Sequence, residues 1–350
     1  MSTLKDVAEK AGVSTATVSN VLTGAKPVRP ELKQKVLDTI NELNYSPRRS
    51  PKKAHSISSK TLGVIMTQLD CIFFPLVISG IQKIAMGNNF DITFYPTNYD
   101  RSLEKKYIKN LVNNNVSGII LDTVVPLTDI NYFKEMGSLK HNNSRIPVIS
   151  IQEDLTAFGI TSIVLDSIHG GYMATEHLIQ KGCKKIACIT GPTAAGWAAD
   201  RLKGYQNCLK QHGLPTNSSY FSVSDCTLAG GYQAANLLLM NAIDFDGMVV
   251  QNDLMAIGAL KALRERGYKI PDEVKVIGYD NVFITTLVSP SITSIHIPKQ
   301  RLGEEAARYL IQEIEGVSEH VGHKLELPLS LIERQTTNAK IPENWDLFLA

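Results

Sequence analysis

The chain predicts two architectures in one protein: an all-α helix-turn-helix head, and an α/β core of two lobes built on parallel sheets. Three observations carry this. The first 47 residues hold three amphipathic segments of helix length, with cap and turn residues between them. From Thr61 onward, apolar runs of strand length alternate with amphipathic runs of helix length, the pattern of parallel sheets covered on both faces. That alternation runs roughly twice, with a change near 150–165, so two similar lobes with a cleft between them are expected.

In the head, Thr3 is placed to cap a first helix that buries Leu4, Val7, Ala8 and Ala11. Gly12 is where the chain must turn, because glycine enters the left-handed region without steric cost. Ser14 then caps a second helix. Val18, Val21 and Leu22 face inward, and Thr15, Ala16, Ser19 and Asn20 remain for its outer face. Ala8 is small where the two helices should cross closely. A third segment follows Pro30 and turns Leu32, Val36, Leu37, Ile40 and Leu43 inward. In such a unit the second helix is the one that enters a DNA major groove.

Residues 48–60, RRSPKKAHSISSK, are basic and serine-rich and lack a core pattern, so they read as a linker. The core then spans 61–340, with a tail over 341–350. Strands are expected at 62–66, 91–95, 118–121, 147–151 and 162–164, then at 185–190, 247–250 and 275–278. Helices are expected at 75–88, 103–114, 170–181, 198–212, 230–241, 254–266 and 301–315. The strand–helix connections are short, as right-handed parallel crossovers require.

A length of 350 residues suits two or three domains, and 43% hydrophobic with 20% charged residues describes a globular chain with a large core. The net charge of +2 hides an asymmetry. Residues 1–60 carry 11 Lys and Arg against 5 Asp and Glu, while the rest carries 25 against 29. A basic head on a mildly acidic body fits phosphate contact by the head alone. No apolar leader opens the sequence and no run is long enough to span a bilayer, so a cytoplasmic protein without membrane contact is expected. The five cysteines, Cys71, Cys183, Cys188, Cys208 and Cys226, form no CxxC pair, which suits reduced thiols and no metal.

The wording of the chain narrows this further. LKDVAEKAGVSTATVSNVL at 4–22 and NELNYSP at 41–47 resemble the lactose-repressor (LacI/GalR) family of bacterial transcription regulators. So do HLIQKGCKKIACITGP at 177–192, RLKGY at 201–205, QNDLMAIGALKALRERGYKIPDEVKVIGYDN at 251–281 and TSIHIPKQRLGEEA at 293–306. The resemblance covers residues 3–337. It implies a periplasmic-binding-protein-like core, double-stranded operator DNA as a partner, and a homodimer on a near-palindromic site. It also implies repression controlled by a small-molecule effector, a sugar or other metabolite, and needs no cofactor.

Carried over by position, Thr15, Ala16 and Asn20 meet base edges, with Asn20 suited to an adenine. Ser14, Thr17 and Ser19 touch phosphates and fix register, although Thr17 and Ser19 can equally cap their own backbone. Many members insert a leucine of a hinge helix into the minor groove. Here Ala54 stands at that place and Pro51 falls inside the expected helix. Either Ile57, three residues beyond Ala54, serves as the wedge, or the operator is bent less.

For the effector, the resemblance points to Arg201, whose planar fork suits carboxylates, phosphates or vicinal hydroxyls, and to Asp280 after a strand end. Asn252 and Asp253 close another strand in the same lobe, and Asp253 suits a helix cap before Leu254 equally well. Phe73 and Phe74 follow the first strand, Asp122 ends another, and Trp197 precedes Arg201. Each can line the cleft, or the aromatics can simply be core. Cys226 stands where some relatives have an aromatic, and Ile297 where some have a polar residue, so no one known ligand carries over.

An enzyme is not expected. GPTAAG at 191–196 lacks the Gly-Lys-Ser/Thr of a P-loop, and no GxSxG, HExxH or paired-cysteine spacing occurs. His296 reads as a satisfied pocket or interface residue. The tail after Asn338 lacks a leucine heptad, so a C-terminal tetramer bundle is not expected.

Overall fold

Cap chemistry decides the ends of the head's helices. The computed structural model describes residues 3–23, 28–43, 60–68, 72–192, 196–241, 244–317 and 322–342. Helix α1 (Leu4–Ala11) opens on a reciprocal capping box. The Asp6 N–H donates to Thr3 Oγ1 at 3.3 Å, and the Thr3 N–H donates to Asp6 Oδ2 at 2.7 Å. Gly12 closes it at φ 66°. Helix α2 (Thr15–Thr23) starts with the Thr17 N–H donating to Ser14 Oγ at 3.1 Å, and α3 (Pro30–Glu42) starts on a proline. Val7, Ala8, Ala11, Val18 and Val36 form the buried centre, with Leu4, Val21, Ile40 and Leu43 packed around it. Leu32 does not face inward as expected. It is 37% exposed, because it lies one turn before Val36, beyond the reach of so small a core. The side chain of Leu22 lies outside the described residues, as do Pro51, Ala54, Ile57, Cys71 and the tail from 343.

The chain divides into two compact units, Met1–Ile57 and Ser58–Ala350. In the second, β1 (Thr61–Met66) leads to α4 (Phe74–Gly87), β2 (Asp91–Pro96), α5 (Arg101–Asn113), β3 (Gly118–Leu121) and α6 (Ile130–Gly137). A small hairpin, β4 (Lys140–His141) and β5 (Ser144–Arg145), precedes β6 (Val148–Gln152) and β7 (Thr161–Leu165). Then come α7 (Ser167–Gln180), β8 (Ile186–Thr190), α8 (Gly196–Gln211), β9 (Phe221–Val223), α9 (Leu228–Met240) and β10 (Gly247–Val250). Helix α10 (Asp253–Glu265), β11 (Lys275–Asp280), β12 (Thr293–His296), α11 (Lys299–Glu315), β13 (Lys324–Leu327) and β14 (Ser330–Ile332) complete it.

Two six-stranded sheets result. The first has order β13-β7-β6-β3-β1-β2 and is parallel throughout. The second has order β14-β12-β11-β10-β8-β9 and is parallel except for the antiparallel β12–β14 pair. Fully buried runs such as Ile119, Ile120 and Leu121 or Met248, Val249 and Val250 are what a sheet covered on both faces requires.

The lobes are not two consecutive halves of the sequence. The chain leaves the first sheet between 165 and 167, because α7 packs on β10, β11 and β12. It returns between 296 and 299, since α11 packs on α4, β3, β6 and β7, and crosses once more between 327 and 330. The buried stripe of α11 (Leu302, Ala306, Leu310) suits either sheet equally, so its lobe is set by tertiary contact.

Candidate functional site

On the head, Ser14, Thr15 and Ala16 are exposed at the start of α2, with Thr17, Ser19 and Asn20 half-buried along it. The Ser14 and Thr17 hydroxyls are 2.9 Å apart, and the Ser14 hydroxyl caps α2. Thr15 and Ala16 are thus the free outer edge of that helix. Lys10 pairs with Glu42 at 3.0 Å and ties α1 to α3.

In the core, the carboxyl ends of β1, β6, β8, β10 and β11 converge on one cleft, as open α/β sheets arrange their ligand sites. One chamber of it, about 170 Å³, is bordered by Phe73 and Phe74 from the first lobe and by Trp197, Arg201, Asn252 and Asp280 from the second. Arg201 is the best-held side chain there. It is 4% exposed. Its Nη1 donates to the Gln251 carbonyl at 2.6 Å, and its Nη2 lies 3.5 Å from Asp280 Oδ1. The guanidinium carbon lies 3.6 Å from the Tyr279 ring centroid and 4.7 Å from that of Trp197. Its Nε is buried with no hydrogen-bond partner among the described residues.

Asp280 sits at φ 96°, a left-handed conformation that turns the chain out of β11. Burial pushes its carboxyl up to about 6, and the facing charges of Arg201 and then Lys299 limit that rise. The buried Lys299 ammonium donates to the carbonyls of Asp280, Asn281 and Ile297 at 2.6, 3.0 and 3.3 Å. Ile297 therefore serves through its carbonyl. His296 bonds Asn281 through Nδ1 at 3.1 Å, and burial lowers it to about 4, so it is a neutral structural imidazole near pH 7.

Other sequence-predicted residues occupy different roles. Asn252 borders the chamber, yet its Oδ1 accepts from the Met255 N–H at 2.7 Å and its Nδ2 donates to the Cys226 carbonyl at 3.0 Å. It is the cap of α10. Asp253, open between a helix cap and a ligand contact in the sequence, instead accepts internally from the Val282 N–H at 2.8 Å and the Ser294 hydroxyl at 2.7 Å. Phe73 and Phe74 are both cleft and core: nearly buried, edge to face at 5.2 Å, and on the chamber wall. Cys226 borders the chamber at φ 68°.

Asp122 borders a larger adjoining chamber of about 430 Å³ and not the one that holds Arg201. It accepts from the Thr67 N–H at 3.2 Å and from Gln152 Nε2 at 2.8 Å, and burial raises it to about 6. The two chambers share Thr67, Tyr99, Gln152 and Trp197. Tyr99, Gln152, Tyr279 and Glu153 were missed from sequence. Tyr279 alone carried a signal, as the neighbour of Asp280 in GYDN. Among the described residues no group of His, Cys, Asp and Glu is arranged to hold a metal, and no helix is long and apolar enough to cross a membrane.

Comparison with known proteins places this geometry. Residues 3–48 match the model for bacterial regulatory proteins of the lacI family, and 175–337 match a periplasmic binding protein-like domain. The HTH-type transcriptional repressor PurR of Vibrio parahaemolyticus is 31% identical over 342 residues, 96% of this chain and 98% of the relative. A lac repressor dimer bound to operator and the anti-inducer ONPF superposes with a TM-score of 0.73 at 28% identity, over 96% of this chain and 99% of that one. The regulator CelR in complex with cellobiose gives 0.70 at 26%, over 96% and 100%. With the head's exposed second helix and the core's two-lobed cleft both accounted for, the chain belongs to the lacI family of bacterial regulatory proteins, as a DNA-binding transcriptional repressor under small-molecule control and not an enzyme.

Proposed function

We propose that the effector is a hydroxyl-rich small molecule of the sugar class, held in the cleft by Arg201, Asp280 and Trp197. Phe73, Phe74 and Asn252 form the wall, and Asp122 extends the site into the adjoining chamber. The observation that carries this is the Arg201 guanidinium. It is fixed between the Trp197 and Tyr279 rings beside the Asp280 carboxylate, with one buried donor, Nε, without a hydrogen-bond partner among the described residues. A rigid fork next to a carboxylate offers donors and an acceptor to vicinal hydroxyls, and an indole face offers an apolar floor for a sugar ring. The structural likeness to a cellobiose-bound regulator supports the same class.

The protein acts as a cytoplasmic homodimer without membrane contact. Its two heads read adjacent half-sites of a near-palindromic operator. Thr15, Ala16 and Asn20 face base edges, Ser14, Thr17 and Ser19 face phosphates, and Ile57 is the candidate wedge of the linker. The working boundaries are 1–47 for the head, 48–60 for the linker, 61–340 for the core and 341–350 for the tail.

Selection of genomic fragments with the purified protein, followed by a sugar panel on the recovered site, tests this reading. A palindrome released or tightened by one sugar is expected. Asn20→Ala should relax operator choice at a cost of about 1–3 kcal/mol while sugar binding is unchanged. Uniform binding across fragments that fades with salt would instead mean electrostatic attraction alone.

A further inference from the structure

The larger chamber of the cleft has a preformed wall. Residues 122–128, which run from the end of β3 toward α6, all border it. That stretch is held by Glu104 of α5, which is fully buried and borders neither chamber. Glu104 Oε1 accepts from the Thr123 hydroxyl at 2.8 Å and from the Tyr132 hydroxyl of α6 at 2.6 Å, and Oε2 accepts from the Val124 N–H at 2.7 Å. The Thr123 oxygen in turn accepts from the Val125 N–H at 3.1 Å. One residue on, Lys105 lies 5.2 Å from the Tyr132 ring centroid and 3.6 Å from Asp129, the cap of α6. A buried carboxylate left without its donors is costly, so three bonds from one carboxylate hold the segment to one course. Where the two chambers meet, Trp197 of the second lobe and Tyr99 of the first border both. Asn98 and Tyr99 take left-handed backbone, at φ 49° and 61°, a conformation unfavourable for a tyrosine, and this brings an aromatic residue to the junction.

We propose that the effector is a two-ring saccharide: one ring lies beside Arg201 and Asp280, the second lies in the larger chamber between the 122–128 wall and Trp197, and Glu104 is the positioning residue that keeps this second subsite in shape. The inference rests on the reading of the cleft as a sugar site. Room is the first argument. The Arg201 chamber, about 170 Å³, falls short of the roughly 300–1,000 Å³ of small-molecule sites, whereas the adjoining one, about 430 Å³, lies within that range. A ligand that stopped at Arg201 would leave the roomier chamber unused. Lining chemistry is the second. Arg101 and Thr128 offer donors there, Asp122 and Glu153 offer acceptors, and Val124 and Pro126 offer apolar surface. A sugar ring needs that mixture, with hydroxyls at its edge and C–H groups on its faces. The aromatic residues at the junction suit a ligand that passes from one chamber to the other.

Calorimetry on the full-length protein tests this, with glucose and galactose against cellobiose, maltose and lactose as probes. The disaccharide that binds should exceed its component monosaccharides by about ten-fold or more. Glu104→Gln keeps the size of the side chain but sets an amide NH2 against groups that are themselves donors. It should erase most of the disaccharide's advantage while the monosaccharide binds as before. Thr128→Trp fills the larger chamber from an exposed position outside the core, and should act in the same way. If Glu104→Gln does not fold, Thr128→Trp decides alone. Equal affinity for a disaccharide and its monosaccharides, or a Thr128→Trp variant that keeps the full disaccharide advantage, overturns the two-ring effector and leaves the sugar reading standing. A folded Glu104→Gln variant that keeps the advantage overturns the role of Glu104. A panel in which no sugar of either size binds removes the sugar reading, and the second subsite with it.

Discussion

Arg201 is held by one carbonyl, one carboxylate and two aromatic rings, and a lysine can satisfy only part of that set. An ammonium has no plane to lie between Trp197 and Tyr279 and no fork to leave a third donor for a ligand. Arg201→Lys should weaken effector binding by about 2 kcal/mol, on the order of thirty-fold by calorimetry. Arg201→Met, which removes the charge that limits the rise at Asp280, should leave that carboxyl above its present value of about 6. Glu153 gives a second prediction, with its sign set by linkage. Its carboxyl rises from 4.5 to about 7 on folding. Between those values the folded chain keeps a proton that the unfolded chain has released, so stability falls as pH rises through the window. The full effect is at most about 3 kcal/mol. Asp122, raised to about 6, acts with the same sign. His296, lowered to about 4, acts with the opposite one, because there the unfolded chain binds the extra proton. Urea unfolding at pH below and above the window should show a smaller loss in Glu153→Gln than in the wild type, and equal losses would refute the assignment. Arg201 and Asp280 were legible in the sequence because they sit in RLKGY and GYDN beside strand and helix ends. Glu153 and Gln152 were not, because their partners come from distant chain that only the folded lobes bring close.

At the scale of elements, legibility followed local chemistry. Thr3, Gly12 and Ser14 announce their caps within a few residues, and the long helices have periodic stripes, so both were readable. Strands β9, β12, β13 and β14 were missed, being three or four residues long and set by their neighbours in the sheet. So was α6, whose eight residues offer barely two turns of pattern. The approach of α7 to α8 is likewise a tertiary fact. A Cβ on Gly171 would stand 2.1 Å from the Arg201 carbonyl oxygen, which places Arg201, the proposed effector residue, at the crossing. Gly171→Ala must push α8 away from α7. A loss of roughly 1–3 kcal/mol is expected, visible as a lowered melting temperature. Because the same shift moves Arg201, effector affinity should fall more in this variant than in an equally destabilised one altered at Phe133, which is buried in the first lobe's own core and borders neither chamber. Equal losses of affinity would mean that the crossing holds the fold and not the site.

For the whole molecule, three crossovers join the lobes, at 165–167, 296–299 and 327–330. One of them carries Lys299, whose buried ammonium binds the carbonyls of Ile297, Asp280 and Asn281. The strand end that presents Asp280 to the cleft is thereby fixed to the chain that passes between lobes. A ligand gripping Arg201 and Asp280 in one lobe and Phe73 in the other can favour one lobe arrangement only if it binds that arrangement better. A typical coupling of this kind is 1–3 kcal/mol, or about 5–150-fold in operator affinity. Reciprocity is then compulsory. Whatever factor the effector applies to operator affinity, the operator must apply to effector affinity, in the same direction. Titrating effector into the full-length protein with and without saturating operator measures one side, and operator titrations with and without saturating effector measure the other. Equal factors are expected. A large effect of effector on operator with none in reverse would mean that the two do not act through one equilibrium of the folded chain, and would point to release by dissociation or unfolding.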